Sequence, residues 1–165
     1  PIIIYNIPPR SVIDMSVATM ARLAKDFAGI VGVKDATADL TRPLATRQAI
    51  GEDFCMLSGE DATVLSFMVN GGDGCISVTS NAAPRACAEM HDAWAGGKHA
   101  DAMAINSRLF PLHTNLFVEP NPVPAKYAVS LLGKCTMDVR LPLTPANEST
   151  QKLVREAMTS AGLLN

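Results

Sequence analysis

The chain has 165 residues, 48% of them hydrophobic and 18% charged, with a formal net charge of −2 at neutral pH. That length fits one domain or a piece of one, and the apolar fraction supports a sizeable core, which excludes a disordered chain. There is no basic surplus, no acidic tail and too few aromatic residues for a base-stacking platform, so no nucleic acid is expected as a partner. No apolar run reaches the ~18 residues needed to span a bilayer, so no membrane is expected either.

Cys55, Cys75, Cys87 and Cys135 are scattered and form no C-x-x-C pair. That argues against a zinc ribbon and for reduced thiols in a cytoplasmic protein. His91, His99 and His113 form no H-E-x-x-H pattern, and no metal site is expected. The chain starts on Pro1 and runs directly into a strand, with no initiator methionine or leader, so it is expected to be part of a longer polypeptide.

Ile2 to Tyr5 is a β-branched run stopped by Asn6-Ile-Pro-Pro9. Alternation puts Ile3 and Tyr5 on one face and Ile2 and Ile4 on the other. A helix is predicted from near Ser16 to Phe27, with Val17, Met20, Ala21 and Leu23-Ala24 as its apolar stripe and Gly29 as its C′ residue. A short strand, Ile30 to Val33, then delivers Lys34 at its end. Strict alternation places Ile30, Gly32 and Lys34 on one face and Val31 and Val33 on the other.

The next helix is predicted between about Thr41 and Ile50, with Leu40, Leu44 and Ala45 inward and Gly51 ending it. Phe54 to Ser58 is a third strand. Asp61 is placed to N-cap a helix over Ala62 to Val69. Gly74 to Val78 is a fourth strand, followed by Thr79-Ser-Asn81 and a helix that starts at Pro84 and ends near Ala95. Four strand–helix units in succession argue for parallel strands.

After Gly96-Gly97 the strand signals stop. Helices are predicted from about Ala100 to Leu112, with Met103, Ala104, Ile105, Leu109 and Leu112 near one side, and from Pro122 or Pro124 to Leu132. The last runs from Glu148 to Ala161 with Leu153, Val154, Ala157 and Met158 as its stripe. The domain division expected from this order is 1–97, four β/α units, and 98–165, a helical appendix. G-x-G-x-x-G is absent, and Gly71-Gly72-x-Gly74 precedes a strand, the wrong context for a nucleotide loop.

A lysine at a strand's end has two readings. It can snorkel to water, or it can be a partly desolvated amine whose pKa falls below the usual ~10.4 and which forms a Schiff base with a carbonyl. Residues at the carboxyl ends of barrel strands read as catalytic. The four ends here are Tyr5, Lys34, Ser58-Gly59 and Ile76-Ser77. Tyr5 can move protons, Gly59 leaves room for close approach to the backbone, and Arg10 can clamp a carboxylate. Taken singly, Tyr5 also reads as a packed aromatic and Arg10 as a solvated charge.

Tyr5-Asn-Ile-Pro-Pro-Arg10 resembles the Y-N-x-P-x-R motif of the dihydrodipicolinate synthase family, and Gly32-Val-Lys-Asp-Ala-Thr37 its Schiff-base motif, G-[IV]-K-[ED]-A-T. Leu57-Ser-Gly-Glu-Asp61, Gly74-Cys-Ile-Ser-Val-Thr79 and Phe117-Val-Glu-Pro-Asn-Pro122 match it too, in order and over the whole chain. The resemblance implies an α/β fold: the second half of a (β/α)8 barrel, strands 5–8, followed by a C-terminal helical domain. It implies that Lys34 forms an imine with pyruvate, that Tyr5 relays protons, and that Arg10 meets the carboxylate of aspartate β-semialdehyde. Gly59 and Ile76 would line the pyruvate pocket, Ile76 partly through its carbonyl. No cofactor beyond the covalent imine is implied, and a homotetramer is. Asp35 points away by alternation and takes no catalytic role.

The family's first four β/α units have no counterpart here, nor do the Gly-Thr-Thr segment that holds the pyruvate carboxylate, the second tyrosine of the relay, or most of the lysine feedback site. The chain alone is therefore expected to be inactive and poorly folded, with two unpaired sheet edges. The alternatives are an N-acetylneuraminate lyase or keto-deoxy sugar-acid aldolase of the same superfamily, from which Arg10 separates it, and a non-catalytic half-barrel.

Overall fold

The computed structural model of the protein describes residues 1–165. Its first elements are β1 (Ile2–Asn6), the one-turn helix α1 (Pro8–Ser11), α2 (Val17–Asp26), β2 (Ile30–Asp35) and α3 (Arg42–Ile50). Then follow β3 (Cys55–Ser58), a 3-10 turn (Asp61–Thr63), α4 (Val64–Val69) and β4 (Gly74–Cys75). A second 3-10 turn (Thr79–Asn81) leads into α5 (Pro84–Ala95), α6 (His99–Asn115), α7 (Val123–Leu131) and α8 (Glu148–Ser160). The strands form one parallel sheet in the order β1-β2-β3-β4. The class is α/β.

The chain divides into two compact units, Pro1–Ser77 and Val78–Asn165. In the first, Ile4, Val33 and Met56 stand on one face of the sheet and pack with Met20 of α2, Phe54 and Phe67 of α4. The opposite face carries Ile3, Tyr5 and Ile76, which are 44%, 52% and 43% exposed. The strands are therefore covered on one side only, whereas parallel sheets are ordinarily buried on both. In the second unit, Leu109, Leu112 and Leu116 meet Ala128, Val154 and Met158. A buried polar pair lies in this unit: Thr79 Oγ1 and His113 Nδ1 are 2.8 Å apart, so His113 is a core histidine. The expected boundary at residue 97 follows the β/α count. Packing divides the chain earlier, because α5 makes its main helix contact with α6.

Several expectations need correction. The prolines after β1 do more than stop the strand. They occupy the first turn of α1, where a missing N–H costs nothing. Alternation fails at the start of β2: Ile2 pairs with Ile30 but Ile3 pairs with Gly32, so Val31 is an extra residue at a bulge. Ile30 consequently joins the covered face with Val33 instead of sharing the Lys34 face. Gly29 does not take a left-handed C′ conformation, because α2 ends at Asp26 and Phe27 leaves in extended backbone. On α3, Leu44 and Ala45 point outward, and Arg42, Pro43 and Thr46 are the buried residues. Asp61 does not cap the next helix; its carboxylate accepts the Ser77 hydroxyl. β4 is only two residues long. Met103 and Leu153 also face outward, at 50% and 41% exposure.

Glycine is required where β4 is entered. A Cβ at Gly72 would lie 2.1 Å from Phe67 Cδ1 and 2.2 Å from its Cε1. Phe67 is buried in the core of the first unit. At Gly29, by contrast, a Cβ meets nothing within 4 Å. Gly72→Ala is expected to destabilise by about 1–3 kcal/mol, the usual cost of overpacking. Gly29→Ala should stay within about 0.5 kcal/mol of the parent. Urea unfolding followed by far-UV circular dichroism would compare them, and equal midpoints would contradict the packing described.

Candidate active site

The site is built where β1 and β2 end. Parallel pairing sets Tyr5 opposite Lys34 and Asn6 opposite Asp35. The rows continue through Leu57 to Gly74, and through Ser58 to Cys75. Paired residues in a parallel sheet share a face and successive residues alternate. The Tyr5–Lys34 row therefore lies on the open face and the Asn6–Asp35–Ser58 row on the covered one. The two foremost candidates come together: Lys34 Nζ stands 4.0 Å from the centroid of the Tyr5 ring. A cation over a tyrosine ring is worth roughly 0.5–1 kcal/mol at an exposed site. Lys34 itself is half-buried.

The other candidates are placed as follows. Arg10 lies on α1, just beyond β1, with an exposed side chain. Gly59 follows β3, and its N–H donates to Asp35 O at 2.6 Å. A Cβ there would fall 2.7 Å from the Ala36 Cβ. The glycine thus serves close contact between the ends of β3 and β2, where the sequence pointed to room for a ligand. Ile76 extends β4, donating its N–H to Ser58 O at 2.9 Å, with its side chain on the open face.

Behind the lysine row lies a polar network that reading by alternation passed over. Arg42 Nε donates to Asp35 Oδ2 at 2.9 Å and Nη2 to Met15 O at 2.8 Å, and Nη1 reaches Asp14 Oδ2 at 3.4 Å. Asp35 Oδ1 accepts from Thr37 N and Thr37 Oγ1, at 2.9 and 2.6 Å. Asn6 closes the circuit, donating through Nδ2 to Asp14 Oδ1 and accepting at Oδ1 from Met15 N. Asn6, Asp35 and Arg42 are all buried. Removing one partner of a buried pair of this kind costs about 3–5 kcal/mol. The signal available in the sequence was charge: an acid ending β2 and an arginine opening the next helix.

Glu60 was also missed. It follows Gly59, half-buried, and its N–H is held by Ser58 Oγ at 3.0 Å. Burial pushes its carboxyl above the ordinary 4.5, the neighbouring Asp61 pushes it further, and the charge on Lys34 opposes both.

A one-sided parallel β/α sheet that presents a lysine against a tyrosine at its carboxyl rim is the class of protein these features define. The dihydrodipicolinate synthetase family model matches residues 1–161, and the chain belongs to that family. It is 61% identical over 165 residues to a 4-hydroxy-tetrahydrodipicolinate synthase of Bradyrhizobium diazoefficiens, covering 100% of this chain and 55% of the relative. Among solved structures, a dihydrodipicolinate synthase from Aquifex aeolicus superposes with a TM-score of 0.95 at 39% identity, over 99% of this chain and 56% of that one. A synthase from Acinetobacter baumannii, complexed with pyruvate, gives a TM-score of 0.93 at 39% identity, over 99% and 56%. The chain thus spans a little over half the length of these relatives.

The Glu60 environment has a measurable consequence. Its native carboxyl holds a proton to higher pH than the unfolded one, so the native state binds more protons from about 4.5 up to the raised native value. Stability falls as pH rises through that window, and the loss is complete above it. Glu60→Gln removes the titration. Thermal unfolding at a series of pH values should show the variant gaining on the parent from about pH 4.5 upward, with no gain below. A difference independent of pH would refute this environment for Glu60.

Proposed function

We propose that this chain carries the imine-forming half of a 4-hydroxy-tetrahydrodipicolinate synthase, a lyase-type enzyme of lysine and diaminopimelate biosynthesis. The observation that carries the reading is Lys34 Nζ lying 4.0 Å from the Tyr5 ring in one row of strand ends. After losing a proton, the Lys34 amine adds to the ketone carbon of pyruvate. A C–N bond forms, the ketone oxygen leaves as water, and an imine results. Loss of a methyl proton gives an enamine, whose carbon attacks the aldehyde of aspartate β-semialdehyde. Tyr5 moves the protons, Arg10 takes the semialdehyde carboxylate, and Gly59 and the Ile76 carbonyl bound the pyruvate pocket. The pyruvate complex of the Acinetobacter baumannii relative supports this substrate. No cofactor enters the scheme.

The same reading places the four strands as the second half of a (β/α)8 barrel, with 1–97 as the half-barrel and 98–165 as the helical domain. What supports it is element order: after β4 and α5 come three helices, α6 to α8, and no strand. A fifth β/α unit would stand there if the chain were the first half. The remaining length of the relatives then supplies the other four strands, which cover the open face and pair with β1 and β4, the two edges. Without them the chain is inactive. Completed, it assembles as a homotetramer.

Incubation with pyruvate, borohydride reduction and peptide mapping test the site. The chain should be joined to the missing part of the Bradyrhizobium diazoefficiens relative, at either terminus in turn. Only the chimera with that part ahead of Pro1 should be modified, at Lys34, and Lys34→Ala should abolish the adduct. It should consume the semialdehyde and leave N-acetylneuraminate untouched. An adduct on another residue would refute the lysine assignment, and activity confined to the opposite fusion order would refute the placing of the strands.

A further inference from the structure

Helix α3 carries two arginines five residues apart in sequence, Arg42 and Arg47, and both side chains are 10% exposed. They serve opposite ends of the sheet. Arg47 donates through Nη1 to Gly51 O, Glu52 O and Phe54 O, and through Nη2 to Gly71 O and the Asp73 carboxylate. All of these precede β3 or β4, at the amino ends of the strands. Arg42 works at the carboxyl ends. Its Nε holds Asp35, the residue after Lys34, while Nη1 and Nη2 hold Asp14 and Met15, which are in turn bound to Asn6, the residue after Tyr5. One guanidinium therefore ties together the residues that immediately follow the lysine and the tyrosine. Backbone bonding locks the same corner, with Ala36 N on Asn6 O at 2.9 Å and Gly59 N on Asp35 O at 2.6 Å.

We propose that Arg42 is a positioning residue of the lysine site: by clamping Asp35 and the Asp14–Met15 segment to the ends of β1 and β2, it fixes Lys34 Nζ over the Tyr5 ring. The planar fork matters as well as the charge, because three nitrogens reach three separate acceptors and an ammonium cannot reproduce that spread. The claim rests on Lys34 being the imine-forming residue. Attack on a carbonyl is sensitive to small errors in the position of the nucleophile, so loosening this corner should slow imine formation without removing any group that touches substrate.

The test follows the approach to the borohydride-trapped pyruvate adduct at saturating pyruvate, in the active chimera described above. The first-order rate constant reports positioning, and the end point reports the fraction of folded sites. A purely structural role would lower the end point and leave the rate constant alone. Arg42→Met should slow the rate constant about tenfold or more. Arg42→Lys should fall between the two, because it keeps charge and loses the fork. Arg47→Met should lower the end point but hold the rate constant within about twofold. A parental rate constant in Arg42→Met would overturn the proposal. If Arg42→Met yields no folded protein, a parental rate constant in Arg42→Lys would overturn it. If the parent chimera forms no adduct at all, the lysine reading fails and the proposal with it, whereas an unaffected Arg42 variant in a reactive parent overturns the positioning role alone.

Discussion

The pairing of β1 with β2 is the constraint on which the rest of this molecule depends. Its register sets Tyr5 beside Lys34 and, one residue on, Asn6 beside Asp35. Because neighbours along a strand face opposite ways, a single register produces two different layers. One brings an amine against a phenol ring on the open face. The other sends a carboxamide and a carboxylate into the covered side, where they must be satisfied or cost several kcal/mol. A slip of one residue in β2 would exchange its layers, turning Val33 and Asp35 to the open face and Lys34 towards Met20 and Phe67.

Satisfaction of that covered layer explains why polar residues occupy places a simple amphipathic helix would give to leucine. Arg42 opens α3 and donates to Asp35 Oδ2, while the Thr37 N–H and hydroxyl donate to Oδ1 of the same carboxylate. Below it the covered face turns apolar, with Ile4, Val33 and Met56 against Met20 and Phe67. The sheet is thus packed from behind and open in front. Ile3, Tyr5 and Ile76 face solvent there, and the unpaired edges of β1 and β4 flank them. An uncovered parallel sheet is an aggregation hazard in isolation.

How far the sequence could be read follows from the same physics. The four strands, the alternation of Ile3 and Tyr5, and the delivery of Lys34 at a strand end were legible because apolar runs broken by glycine and proline carry that information. The bulge at Val31 was not read by strict alternation, although Gly32 beside it is the kind of strand glycine that marks one. Arg42 was invisible for a related reason. Hydrophobic periodicity assigns inward positions to apolar residues, so Leu44 and Ala45 were turned inward, although α3 buries an arginine and a threonine instead. Gly59 was legible as a place without room for a side chain, and the neighbour that fills that direction, Ala36, was not. Glu60 could have been found only by asking what sits in sequence between a strand end and a buried acid.

The central claim is that the Lys34 amine is the nucleophile that takes up pyruvate beside Tyr5. A crystal structure of the active chimera soaked in pyruvate is the most direct measurement of it. Continuous electron density from Lys34 Nζ to the second carbon of pyruvate, with Tyr5 alongside, is the result this account predicts. Pyruvate bound away from an unmodified Lys34 would contradict it.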